Sequence, residues 1–280
     1  MNEFTTLTIT LYVFAAVFGA CIGSFINVVI ARLPIKGAFL SNSRSKCSEC
    51  NSVLKLYDLI PIFSWLILGG KCRSCKVKIS PRYSIIELMG AVFAVFCLYH
   101  FWLSNYSSLT HIEQLLLFDF ANFNFAAIIA YGVIMILIAV SVIDYNTSEI
   151  PDSLIITLIP FAIVSIWLFP DVTLLSRIIG FFSIALPMFL ICMLVSGAFG
   201  GGDIKLMAVC GFFLGWQLSL AAFFIALIAG GAVAVYFMAS GKRKKGQHMV
   251  FGPALCIGIT LALFYGNDII RFYLGLFGIW

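Results

Sequence analysis

The sequence predicts an all-α polytopic membrane protein of about eight transmembrane helices, with a small cytoplasmic loop domain between the first two. Three observations predict it. Hydrophobic residues make up 62% of the 280-residue chain and charged residues only 10%, against about 25% charged in soluble domains. Apolar runs close to the roughly 20 residues that cross a bilayer fill nearly all of the chain outside residues 32–82. The charge is also clustered: ten of the 17 Lys and Arg lie between Arg32 and Arg82, and four form Lys242-Arg243-Lys244-Lys245. Cytoplasmic loops collect Lys and Arg, so both clusters are expected in the cytoplasm. The second reads as a topology signal, and no nucleic-acid partner is expected.

The first span is expected over Leu7–Ala31. It lacks a basic n-region and is too long for a cleaved signal sequence. Gly19, Gly23 and Ser24 allow close helix approach. Asn27, its one strong polar group, should face the bundle interior, as a structural tie or a functional group. Arg32–Arg82 is the extended polar segment. The second span covers Tyr83–Leu103, with Glu87 one turn inside it, either capped by the helix N-terminus or in a functional contact. Residues 104–124 carry no Lys or Arg and suit an outer loop, with Ile112–Phe120 as a surface helix. Further spans follow at Phe125–Ile143, Ser153–Phe169, Leu174–Ser196, Ile204–Trp216, Leu218–Ser240 and Phe251–Phe264. Asn267–Trp280 is either an extension of the last span or a surface helix. Domains are expected at 1–31 (first helix), 32–82 (loop domain) and 83–280 (transmembrane domain).

Counting sides from a cytoplasmic 32–82 loop puts Asp144–Asp152, Gly197–Asp203 and Lys242–Lys245 on the cytoplasmic face, and Pro170 outside. The second basic cluster thus falls where the charge rule requires it.

Cys47-x-x-Cys50 and Cys72-x-x-Cys75 are separated by 21 residues. Two such thiol pairs supply the four tetrahedral ligands zinc takes. A reducing compartment disfavours disulfides, although a redox pair or free thiols would leave the same pattern. Four thiolates leave no open position for water, so the expected zinc is structural and the loop a small zinc-binding domain. Cys21, Cys97, Cys192, Cys210 and Cys256 sit in apolar runs and read as packing residues.

Asp144 ends one apolar span and Asp203 begins another, 59 positions later. Either can be a helix cap, a reading that Asp152 after Pro151 fits as well. The run Gly200-Gly201-Gly202 beside Asp203 lacks Cβ atoms, which leaves room for another backbone, such as a bound peptide. Two carboxyls at one membrane face could share a proton, one activating water and the other protonating a carbonyl. Lys205 is free to pair with a carboxylate or a lipid phosphate. The competing readings are an ion-coupled transporter, which internal repeats would support, and a general intramembrane aspartic protease, which would carry its acids deeper.

These motifs together resemble the bacterial prepilin peptidases, membrane aspartic proteases of the Gly-x-Gly-Asp type. The likeness runs through Gly23-Ser24-Phe25-Ile26-Asn27, Arg32-Leu33-Pro34, the paired cysteines and Tyr57-Asp58-Leu59-Ile60-Pro61. It continues through Arg82-Tyr83, Glu87-Leu88, Asp144 with Ile150-Pro151-Asp152, Gly200-Gly201-Gly202-Asp203 and Phe251-Gly252-Pro253. The resemblance implies cleavage of the basic leader from type IV prepilins or pseudopilins at the cytoplasmic face of the bacterial inner membrane, with Asp144 and Asp203 catalytic. It also implies N-methylation of the new amino terminus with S-adenosylmethionine. The methyl-transfer residues stay unassigned, with the first loop and Glu87 as candidates. Lys46 and Ser48, Ser84 and His248-Met249-Val250 depart from the usual pattern, and none touches the acids.

Overall fold

The computed structural model describes residues 3–35, 45–47, 49–103, 120–195, 197–240 and 250–276. The basic cluster 242–245, His248-Met249 and the stretch 104–119 lie outside them. The described chain is helical, and its only strand pairing is two isolated bridges. In order come α1 (Glu3–Arg32), a 3₁₀ turn (Leu56–Leu59), α2 (Phe63–Ile67) and α3 (Arg82–Leu98), which runs on as a π-helical turn (Tyr99–Leu103). Then follow α4 (Phe120–Thr147), α5 (Asp152–Leu168), α6 (Leu174–Ser183), α7 (Ala185–Leu194), α8 (Gly201–Leu214), α9 (Trp216–Ala239) and α10 (Gly252–Leu276).

Among the described residues, six segments are long and apolar enough to cross a membrane: Thr8–Arg32, Arg82–Phe101, Phe125–Thr147, Leu174–Leu194, Trp216–Ala239 and Gly252–Leu276. The expected fourth and sixth spans are helices of 17 and 14 residues, short of the roughly 20 that cross a bilayer. The fifth is broken in two at Ile184. Pro187 has no N–H for the Ser183 carbonyl and its ring crowds that oxygen, so the helix is interrupted one turn before the proline. The last helix continues unbroken to Leu276, so residues up to that point extend the last of these segments.

The chain divides into two compact units, residues 1–131 and 132–280. In the first, α1 packs along α3. Gly19 and Gly90 face each other backbone to backbone, so a Cβ on either would overlap the other's carbonyl. The crossing is further tied by Asn27, whose Nδ2 donates to the Tyr83 carbonyl at 2.9 Å. The Tyr131 hydroxyl donates to the Gly19 carbonyl at 3.1 Å. Asn27 is 5% exposed, so it does face the interior.

In the second unit, α8 is the hub, in contact with α5, α6, α7, α9 and α10. The ends of α5, α6 and α8 remote from Asp203 are joined by Arg177, which is fully buried. Its guanidinium donates to the Ser165, Phe169 and Phe213 carbonyls at 2.9, 2.9 and 3.0 Å, to the Ser165 hydroxyl at 2.7 Å and to the Val172 carbonyl at 3.2 Å. The last carbonyls of a helix have no partner within it. One arginine therefore supplies donors to two helix ends and fixes α8 lengthwise in its unit.

Candidate active site and metal site

Asp144 lies in the last turn of α4, before a tight reversal in which the Ser148 N–H donates to the Asp144 carbonyl at 2.7 Å. Asp203 is the third residue of α8, and Gly200 holds the N-cap position expected of the acid. Its Oδ2 accepts the Gly200 N–H at 3.2 Å. Both acids are buried, at 5% and 7% exposure. They are near enough to interact electrostatically, so the structure brings together the two groups the sequence singled out.

Three packing features produce that meeting. Ile150, in the loop after Asp144, lies on Gly202 so closely that a Cβ there would come within 2.7 Å of the Ile150 Cβ. The last glycine of the run is thus needed by the chain's own loop, while Gly201, in the middle, faces open space. Asp152 at the start of α5 accepts a hydrogen bond from Lys205 at 2.7 Å, tying α5 to α8 on the acid side. Both partners are more than half exposed, so the pair contributes little energy. Finally, the Gly252 N–H at the start of α10 donates to Asp144 Oδ2 at 2.9 Å. A Cβ on Gly252 would overlap that oxygen. Phe199, Phe223 and Phe251 form an aromatic cluster beside the segments leading into α8 and α10, with ring centroids 5.8 to 6.5 Å apart.

One oxygen of each acid is thus held by a backbone amide. Asp203 Oδ1 is buried with no hydrogen-bond partner among the described residues. A carboxyl oxygen left so is poised to share a proton or hold a water.

The four cysteines of the first unit converge: all four sulfurs lie within 4.8 Å of one another, and Cys47 and Cys75 are 3.8 Å apart. Tetrahedral ligands at roughly 2.3 Å from zinc stand about 3.8 Å from each other. The two knuckles have the same build, 25 positions apart. Lys46 bridges Val53 as Lys71 bridges Lys78. The Asn51 N–H donates to the Cys47 carbonyl as the Lys76 N–H does to that of Cys72, at 3.0 Å in each. Asn51 and Lys76 both take positive φ, 54° and 60°. The Ser52 hydroxyl and amide lower the Cys50 thiol to about 6, and amide N–H groups of Cys75 and Ser74 lower Cys72. These groups favour thiolates at Cys50 and Cys72, whereas at Cys75 the lowering by the Val77 amide is outweighed by burial and the three neighbouring sulfurs, which push the thiol up to about 12.

Residues 17–101 match the Bacterial Peptidase A24 N-terminal domain, and residues 131–235 match the Type IV leader peptidase family. A "Prepilin leader peptidase/N-methyltransferase" of Burkholderia pseudomallei (strain K96243) is 33% identical, over 95% of this chain and 88% of that protein. The chain belongs to the prepilin leader peptidase/N-methyltransferase family. The family protein of the same name from Bacillus subtilis (strain 168) is 33% identical, over 92% of this chain and 96% of its own length. That of Neisseria gonorrhoeae is 29% identical, over 96% and 95%. No solved structure matches the chain.

Two features of this peptidase family member escaped the sequence reading. Arg177 was simply a lone cation in an apolar run, although an ionisable group there is costly unless partnered, and that cost was the available signal. Gly252 carried none beyond the family motif.

Proposed function

We propose that the protein is a membrane aspartic endopeptidase that removes the basic leader from type IV prepilins or pseudopilins, and that it then N-methylates the new amino terminus using S-adenosylmethionine. The observation that carries the peptidase reading is the meeting of Asp144 and Asp203, 59 positions apart in sequence, as two buried, interacting carboxyls. Neighbouring carboxyls resist losing both protons, so one is held between them. The ionised member takes a proton from water as its oxygen attacks the scissile carbonyl carbon. The protonated member gives its proton to the carbonyl oxygen. Collapse of the gem-diol breaks the C–N bond, and the leaving nitrogen takes up a proton. The pair titrates as a unit, so neither acid owns the proton.

The reading places this site at the cytoplasmic face of the inner membrane, where the basic clusters are expected. Residues 32–82 form the loop domain, with zinc held by Cys47, Cys50, Cys72 and Cys75. Zinc bound there supplies cross-linking and no chemistry, since four thiolates fill its coordination. Residues 83–280 carry the peptidase.

The test is incubation of purified protein with a prepilin and S-adenosylmethionine, followed by mass measurement. Loss of the leader reports the peptidase, and a further methyl increment reports the second activity. Asp144→Asn and Asp203→Asn are each expected to abolish leader removal. Processing retained by either variant refutes the assignment.

A further inference from the structure

The start of α8 brings more to the acid pair than Asp203. The first N–H groups of a helix have no acceptor within it, and here two remain over. The Gly200 N–H is taken by Asp203 Oδ2 at 3.2 Å. The Asp203 and Ile204 N–H groups both turn to the Gly200 carbonyl, at 3.1 and 3.3 Å. Between them, the Gly201 and Gly202 N–H groups find no acceptor among the described residues. Because α8 is 14 residues long, these amides also carry the positive end of a helix dipole, about half an elementary charge.

Two further observations tie these amides to the chemistry. Asp203, the third residue of α8, folds back onto the N-cap amide, so its carboxyl lies over the same helix end as the free N–H groups. Its Oδ1 is buried without a partner, in a residue only 7% exposed. A buried oxygen left unpaired is costly, and a bound hydroxyl would relieve that cost. The two amides also differ in access. Gly202 lies under Ile150, whereas Gly201 is exposed, and a Cβ on it would meet nothing within 4 Å. A free donor, an unfilled acceptor and open space therefore meet at one end of one helix.

We propose that the Gly201 N–H is an oxyanion donor, holding the carbonyl oxygen of the scissile peptide bond as negative charge develops on it. The inference rests on the peptidase reading above. As the water oxygen bonds to the carbonyl carbon, the π pair of the C=O bond moves onto the carbonyl oxygen. That oxygen gains charge before the proton of the protonated acid has fully transferred. An amide fixed at a helix N-terminus stabilises it with no reorganisation at the moment of reaction. The hydroxyl delivered by the water is then in place to donate to Asp203 Oδ1. Both groups left open in the free protein are filled at the tetrahedral stage. The amide lends a hydrogen bond and transfers no proton, so the balance of the reaction is unchanged.

The test is proline at position 201. Gly201 is the first residue of α8, where proline is well tolerated because the N–H it lacks has no acceptor in the helix. Gly200 is already extended, at φ −72° and ψ 145°, the conformation that a following proline requires. Gly201→Pro thus deletes the donor and leaves the helix in place, while Gly201→Ala adds a Cβ and keeps the donor. In steady-state cleavage of a prepilin, Gly201→Pro should lower kcat about a hundredfold relative to Gly201→Ala. KM should differ little between the two, since the charge is absent from the ground state, and their melting temperatures should agree. Should the proline variant not fold, glycolate in place of Gly201 removes the same N–H as a backbone ester and should show the same loss. Equal kcat in Gly201→Pro and Gly201→Ala overturns the donor and leaves the acid pair standing; a joint fall would mean that the space at Gly201 matters and its amide does not. Failure of the wild type to cleave overturns the peptidase reading and this inference with it.

Discussion

Replacing Gly252 with alanine perturbs the peptidase without substituting either acid. The Gly252 N–H is held by Asp144 Oδ2 at 2.9 Å inside the unit. An alanine Cβ would overlap that oxygen and stand 2.8 Å from Cγ and 3.1 Å from Cβ of Asp144. The acid's last turn of α4 and the first turn of α10 cannot both stay in place, so the carboxylate swings away and the hydrogen bond is lost. A buried hydrogen bond to a charged acceptor contributes about 1.5–3 kcal/mol, and each 1.36 kcal/mol is about tenfold in rate. Gly252→Ala should therefore lower kcat for leader removal by about ten- to a hundredfold, with KM little changed because the lost contact orients the acid. The assay is single-turnover cleavage of a prepilin, followed by mass measurement, with the melting temperature taken in parallel. Gly231→Ala in α9 is the control: its Cβ meets nothing within 4 Å, and its kcat should hold within about twofold. A folded Gly252→Ala enzyme with undiminished kcat would refute the claim that this amide positions Asp144.

The cysteine cluster and the buried arginine give two further predictions. Purified, reduced protein should carry one zinc per chain by elemental analysis, and Cys72→Ser should lose it; metal-free protein with an intact loop domain sinks the assignment. Arg177→Met should destabilise the second unit by about 1–3 kcal/mol, the cost of leaving a buried acceptor such as the Phe213 carbonyl without its donor. A melting temperature within error of wild type would show that its carbonyl partners are satisfied without it.

Much of this architecture was legible because bilayer physics writes it plainly. Length and apolarity mark spans. Two thiol pairs mark a ligand set whatever lies between them. Alternation of sides also put Asp144 and Asp203 at one face before any coordinates, and the second unit has α4 ending where α5, α8 and α10 begin. What stayed hidden depends on contacts between segments far apart in sequence. The glycine run was read as room for a substrate backbone, yet Gly202 is filled by Ile150, and only Gly201 remains open. Lys205 could have met lipid or carboxylate, and it meets Asp152. Neither outcome is set by local pattern; each follows from how α5 and α8 lie together.

That packing has a consequence for the acids. A carboxyl pair acts as a shared-proton device only if its separation is held against mutual repulsion. The loop after Asp144 is pinned by Ile150 on Gly202, and Asp144 itself by the Gly252 amide. Asp203 rides on α8, whose far end is locked by Arg177 through the Phe213 carbonyl. Arg177 also binds the end of α5, which carries Asp152 at its other end and through it Lys205. The closed circuit of α5 and α8, ion-paired at the acid end and bridged by arginine at the other, resists the sliding of one helix past the other that would separate the acids. Loss of Arg177 should accordingly lower leader cleavage in the fraction that still folds, whereas loss of the exposed Lys205–Asp152 pair, weak on its own, should be far better tolerated.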